Sequence, residues 1–130
     1  MEKKEASADW LRSTLVELDD LCINPVIFSE LRLGVVTAKT TPLALARQTT
    51  VDRASKSTLL PIGHETALRH ADITASLWRQ NQKKTRPRAN DLWIAATAME
   101  HDLVLVTANV RDFADIVGLQ LLVPPVVGAQ

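Results

Sequence analysis

Asn90-Asp91-Leu92-Trp93-Ile94-Ala95-Ala96-Thr97-Ala98-Met99-Glu100-His101-Asp102-Leu103-Val104-Leu105-Val106-Thr107-Ala108-Asn109-Val110-Arg111-Asp112-Phe113 is the stretch whose reading decides the fold. From Leu92 to Met99 nearly every position is apolar, which predicts a helix buried on both faces rather than a surface one. His101-Asp102 closes that helix, and Leu103-Val104-Leu105-Val106 is a continuous apolar run too short for another. Such a run suits a strand of a parallel sheet covered on both sides. Polar Thr107, Asn109, Arg111 and Asp112 follow at once. In open α/β sheets, sites form beyond the carboxyl ends of the strands. A buried helix that opens with Asp91 and a strand that ends in Thr107, Asn109 and Asp112 therefore frame a candidate site.

Upstream, helices and short apolar runs alternate. Ala8, Leu11, Leu15 and Leu18 recur at helical spacing, so residues 8–18 read as an amphipathic helix behind a frayed start at residues 1–7. Leu21-Cys22-Ile23 reads as a short buried strand, and Asn24-Pro25 as a helix start with Asn as cap and Pro in the first helical position. Pro42 begins a further helix to about Ser55, and residues 58–62 form a second strand. After Gly63-His64 a helix carries Ala67, Leu68, Ala71, Ala75 and Trp78 on its apolar face. A polar, basic loop with Lys83, Lys84, Arg86 and Arg88 then leads to Asp91, and residues 119–123 give a fourth strand before a short tail at 124–130. The alternation predicts a three-layer α/β domain with a mostly parallel sheet.

The composition suits one globular domain spanning residues 1–130, with 46% hydrophobic and 23% charged residues. Fifteen basic and fifteen acidic residues give zero net charge, so no global field draws a polyanion and any nucleic acid must be held locally. The single Cys22 excludes an internal disulfide and a Cys-type zinc site, and reads as a core residue. The polar first ten residues do not resemble a signal peptide, and the apolar stretch at 119–127 is too short to span a bilayer and is broken by Pro124 and Pro125. A cytoplasmic protein is expected.

Taken singly, the candidate residues have ordinary explanations. Glu30 can be a solvated carboxylate or pair with Arg32. Asp91 in a first helical turn satisfies free amides and the macrodipole. Asn109 and Asp112 can shape a turn. His64, His70 and His101 lack ligand spacing, and Trp10, Trp78 and Trp93 read as core packing. Together, however, Glu30 follows the first strand, Asp91 opens the helix before the third, and Asn109 and Asp112 follow the third. In a parallel sheet these loops share one edge. Clustered carboxylates repel one another unless a cation or a raised pKa holds them, and hard oxygens suit Mg²⁺ or Mn²⁺. The basic loop before Asp91 can steer a phosphodiester backbone, or be a solvated turn.

At this point the chain resembles a family. Asn24-Pro25-Val26-Ile27-Phe28-Ser29-Glu30-Leu31-Arg32-Leu33-Gly34 resembles the second motif of PIN-domain ribonucleases, especially VapC-type toxins of bacterial toxin–antitoxin pairs. Asn90-Asp91-Leu92-Trp93-Ile94-Ala95-Ala96-Thr97-Ala98 is similar to their third motif, and Leu105-Val106-Thr107-Ala108-Asn109-Val110-Arg111-Asp112-Phe113 with Gly118-Leu119 to their fourth. The resemblance implies a Mg²⁺- or Mn²⁺-dependent endoribonuclease, usually a homodimer, silenced by a cognate antitoxin. It assigns Glu30, Asp91 and Asp112 (or Asn109) as metal ligands, with Thr107 and Arg111 near the scissile phosphate and Lys83, Lys84, Arg86 and Arg88 along the RNA. Two departures stand out. Family members open with a central strand ending in a ligand aspartate, ahead of the helix at 8–18, and no such motif precedes residue 8 in this sequence. Asn109 stands where many relatives carry their fourth acid, with Asp112 three residues later. The departures imply a weakened metal site, and keep open a catalytically inactive PIN-like module that still binds RNA or an antitoxin.

Overall fold

The computed structural model describes residues 21–80 and 88–123. The helix expected at 8–18, Trp10, the basic residues Lys83, Lys84 and Arg86, and the tail at 124–130 lie outside the described residues.

Strand β1 (Cys22–Ile23) passes directly into helix α1 (Pro25–Val36). The turn between them is made by two side-chain properties. Asn24 keeps extended backbone and accepts the Ile27 N–H on its side-chain oxygen at 2.9 Å, while Pro25 occupies a position where no N–H is needed. Helix α2 (Thr41–Ala54) starts the same way, with Thr40 capping Leu43 and Pro42 in the first turn. Strand β2 (Thr58–Leu59), helix α3 (His64–Gln80), helix α4 (Ala89–Glu100) and strand β3 (Val104–Val106) follow. A 3-10 turn at Val110–Asp112 precedes strand β4 (Gln120–Leu122).

Both strand pairings are parallel: Cys22 lies opposite Thr58 and Ile23 opposite Leu59, while Val104, Leu105 and Val106 face Gln120, Leu121 and Leu122. The fold is thus α/β, as the alternation requires. Among the described residues the sheet comes as two separate pairs rather than one continuous surface. Between them lies a small apolar groove, lined by Cys22, Ile23, Ile94, Ala98, Val104 and Leu105 among others.

The core sits on the other side of α4. Ile73 and Leu77 of α3 pack on Leu92, Ala95 and Ala96 of α4, closed by Phe113 and Ile116 from the loop after β3. Ala95 and Ala96 are fully buried, and two small residues in succession let a neighbouring helix approach closely. The helix expected to be buried all round is so: Leu92 and every residue from Ile94 to Ala98 are buried.

Three expectations are corrected. The buried stripe of α3 runs through Thr66, Ile73 and Leu77, not through Ala67, Leu68, Ala71 and Trp78. Leu68 and Trp78 are half exposed or more, Trp78 at 55%. Counting apolar residues picks the wrong face because two polar side chains hide in the right one. Thr66 accepts the Gly63 N–H and donates to Glu100, and His70 stacks on Trp93 with ring centroids 3.9 Å apart. Second, the strand expected over 58–62 stops at Leu59, since Pro61 has no N–H to continue a ladder. Third, β3 is less covered than a continuous apolar run implies, because Val104 borders the groove and stays half exposed. Cys22 is likewise partly rather than fully buried.

Candidate active site

The acidic candidates come from two helices and a turn. Glu30 projects from the second turn of α1 and is exposed. Asp91 lies in the first turn of α4, half-buried. Asp112 ends the 3-10 turn, also half-buried. Asn109 directly precedes that turn, exposed and without a side-chain capping bond, its N–H donated to Thr107 Oγ1 at 3.0 Å. Thr107 itself is tied to the end of β4, its N–H donating to the Leu122 carbonyl at 3.1 Å.

Glu30 and Asp112 lie near enough to Asp91 for their charges to act on it. Asn90 Nδ2, next to Asp91, donates to Glu30 Oε1 at 3.3 Å. The Asp91 carboxyl is held above its ordinary pKa, first by burial and then by the charges of Asp112 and Glu30, with Arg88 pulling the other way. Two neighbouring carboxylates are therefore close enough to resist its ionisation. Among the described residues, no three His, Cys, Asp or Glu side chains already form a group able to hold an ion. That is compatible with Mg²⁺, which is commonly held by one or two carboxylates and otherwise keeps its waters. The donors present are hard oxygens, and the strain on Asp91 is what a cation between these acids would relieve.

A buried amide holds the arrangement from behind. Asn24, 1% exposed, donates to Thr97 Oγ1 at 2.9 Å and to the Trp93 carbonyl at 3.4 Å while its oxygen caps α1. One side chain thereby fixes the start of the helix bearing Glu30 against the middle of the helix bearing Asp91. The sequence marks Asn24 as a cap but gives no sign of its second role, which depends on a partner 73 residues away.

Of the remaining candidates, Arg111 is exposed beside Asp112. Arg88, expected to face RNA, is otherwise engaged. Its guanidinium makes a two-pronged pair with Asp115 at 2.8 and 2.9 Å and also donates to the Asp112 carbonyl. Asp115, held below its usual pKa chiefly by hydrogen bonding from Arg88, and Asn90, which reaches Glu30, were not distinguishable in the sequence from ordinary surface residues.

Comparison with known proteins bears on the family and the fold. A family model for the PIN domain matches residues 2–119. The chain is 32% identical over 108 residues to Ribonuclease VapC of Rickettsia bellii (strain RML369-C), covering 82% of this chain and 78% of that protein. It is 33% identical over 100 residues to Ribonuclease VapC5 of Mycobacterium tuberculosis, covering 77% and 71%. Among solved structures, VapBC-5 from Mycobacterium tuberculosis, a member of the VapBC family of toxin–antitoxin systems, superposes with a TM-score of 0.69 at 29% identity over 83% of each chain. VapBC2 from Rickettsia felis, bound to a DNA fragment from its promoter, shares the fold, with a TM-score of 0.74 at 21% identity over 90% and 86%. By the breadth of the family match and the identity to these relatives, this chain belongs to the PIN-domain family, in its VapC group.

Proposed function

We propose that this protein is the endoribonuclease toxin of a toxin–antitoxin pair, hydrolysing RNA phosphodiester bonds at the acidic edge described above. The observation that carries the reading is the convergence of Glu30, Asp91 and Asp112, from two helices and a turn, in a chain of this family. Glu30 and Asp91 would hold Mg²⁺ or Mn²⁺, with Asp112 and the Asn109 amide completing the set. Such an ion, when bound, supplies a more acidic water and offsets phosphate charge. The protein's part is to keep these oxygens in place through Asn24 and Asn90. Thr107 and the exposed Arg111 stand beside the turn where a scissile phosphate would lie, and Lys83, Lys84 and Arg86 precede Asp91 as a basic approach for cytoplasmic RNA.

Relatives named VapC and neighbours named as VapBC toxin–antitoxin complexes support an antitoxin as the protein partner. The described helices include none long and apolar enough to cross a membrane. We assign homodimerisation to the α1–α2 hairpin, where Leu33, Val36 and Leu45 are 58%, 64% and 64% exposed and no residue of α1 is fully buried. Sedimentation at micromolar concentration should show the dimer, and a monomer alone would contradict the assignment.

A second reading, a catalytically inactive module that binds RNA or an antitoxin, is favoured by the lack of a ready three-ligand group among the described residues. One assay separates the two. The purified chain is incubated with RNA in Mg²⁺, Mn²⁺ or EDTA. Cleavage that appears with either ion and vanishes in EDTA supports the enzyme. RNA or antitoxin binding without cleavage supports the module, and cleavage indifferent to EDTA sinks the metal-dependent mechanism.

A further inference from the structure

We infer that Arg88 is a positioning residue of this site: its fork on Asp115 and its bond to the Asp112 carbonyl align the Asn109–Asp112 turn with the first turn of α4, where Asp91 stands. The inference rests on the functional reading above and adds a residue that sets two parts of the ligand group in register. Arg88 is fixed at one end because it directly precedes Ala89, the first residue of α4. At the other end Nη1 donates to Asp115 Oδ2 at 2.9 Å and Nη2 to Oδ1 at 2.8 Å, and Nη2 also donates to the Asp112 main-chain carbonyl.

The turn's own backbone bonds stay within it: Asp112 N–H to the Asn109 carbonyl, and Phe113 and Ala114 N–H to that of Val110. Phe113 anchors the turn in the core, yet apolar packing is non-directional and sets depth more than orientation. Directional, charge-assisted bonds to a rigid fork supply what packing does not. The Arg88 side chain is only 15% exposed while that of Asp115 is 46% exposed, so the guanidinium end of the fork is enclosed and its two-pronged geometry, not surface attraction, carries the contact.

Charge and alignment predict opposite results, which makes the inference testable. Arg88→Ala removes a positive charge beside carboxylates, so by attraction alone a divalent cation should bind more tightly. If the fork aligns Asp112, binding weakens instead. The experiment measures Mn²⁺ binding to the full chain by electron paramagnetic resonance of the free ion, for wild type, Arg88→Ala, Arg88→Lys, Asp115→Ala and the double variant. Thermal melting is recorded alongside. We expect Arg88→Ala to raise the Mn²⁺ dissociation constant about tenfold. The charge-neutral double variant should be no worse than its weaker-binding single, since both break one fork. Arg88→Lys keeps the charge without the fork and should also bind more weakly, which decides the matter if Arg88→Ala does not fold. Wild-type affinity or better in the two Arg88 variants overturns the inference and leaves the functional reading intact. A wild-type chain that takes up no Mn²⁺ overturns the functional reading and the inference with it.

Discussion

Asp91→Asn is expected to lower metal-dependent RNA cleavage by about 100-fold or more while raising the melting temperature of the same protein in EDTA. The first effect follows from removing a charged ligand at the centre of the acidic group. The second follows from its pKa. A carboxyl whose pKa is higher in the folded chain than in the unfolded one binds its proton more tightly when folded, so ionisation costs stability above the raised pKa. Below the ordinary value of 3.8 the residue is protonated in both states and the cost is gone. The stabilisation by Asn should therefore be present at neutral pH and fade as the pH falls through the acidic range. The helix macrodipole works the other way, since a negative charge in the first turn of α4 is favourable by about 0.3–1 kcal/mol. Burial and two neighbouring acids oppose that gain, and the melting temperature reads which of the two is larger. EDTA is needed because a bound ion would stabilise only the wild type. Cleavage within about tenfold of wild type would argue against Asp91 as a ligand. A lower melting temperature at neutral pH would show that the dipole dominates.

Asn24→Ala should destabilise the fold by about 2 kcal/mol, from loss of a cap worth about 1 kcal/mol and of buried amide bonds of similar size. The side chain is 1% exposed, so solvent does not fill the vacated position freely. Asn24→Asp separates the two roles. It keeps the oxygen that accepts the Ile27 N–H but loses the donor to Thr97 and Trp93, and it buries a charge. We expect it to be at least as harmful as alanine, and both variants to cleave poorly because the helix bearing Glu30 is no longer tied to α4. Chemical denaturation measures the loss, and one below about 0.5 kcal/mol would show that Asn24 is only a surface cap.

The parts of this fold readable from residues are those whose cause is local. The Asn24-Pro25 start of α1, the burial of α4 and the strand at β3 each follow from chemistry within a few positions. Glu30, Asp91 and Asp112 are legible as candidates only together, because each follows a strand or opens a helix beside one and the three match motifs of one family. What was not legible depends on partners distant in sequence. The buried stripe of α3 is disguised by Thr66 and His70, whose polarity is satisfied by Gly63, Glu100 and the Trp93 ring. Arg88 looked like a phosphate contact because nothing in its neighbourhood announces Asp115, 27 residues later.

The split of the strands into two pairs bears on how the chain acquires its shape. Among the described residues, β1, α1, α2 and β2 form one consecutive block and α3, α4, β3 and β4 a second, each with its own strand pair. Loop-closure entropy grows slowly with length, so pairing within a block costs less than pairing across the whole chain, and an N-terminal block can form before the rest has been made. Glu30 belongs to the first block, while Asp91 and Asp112 belong to the second. Glu30 therefore meets Asp91 and Asp112 only at the seam, after both blocks have docked, so a half-made chain does not yet bring the proposed site residues together. Pulsed hydrogen exchange and pulsed thiol labelling during refolding would read this order, as amide protection inside each block preceding protection of Cys22, which lines the groove between the two strand pairs.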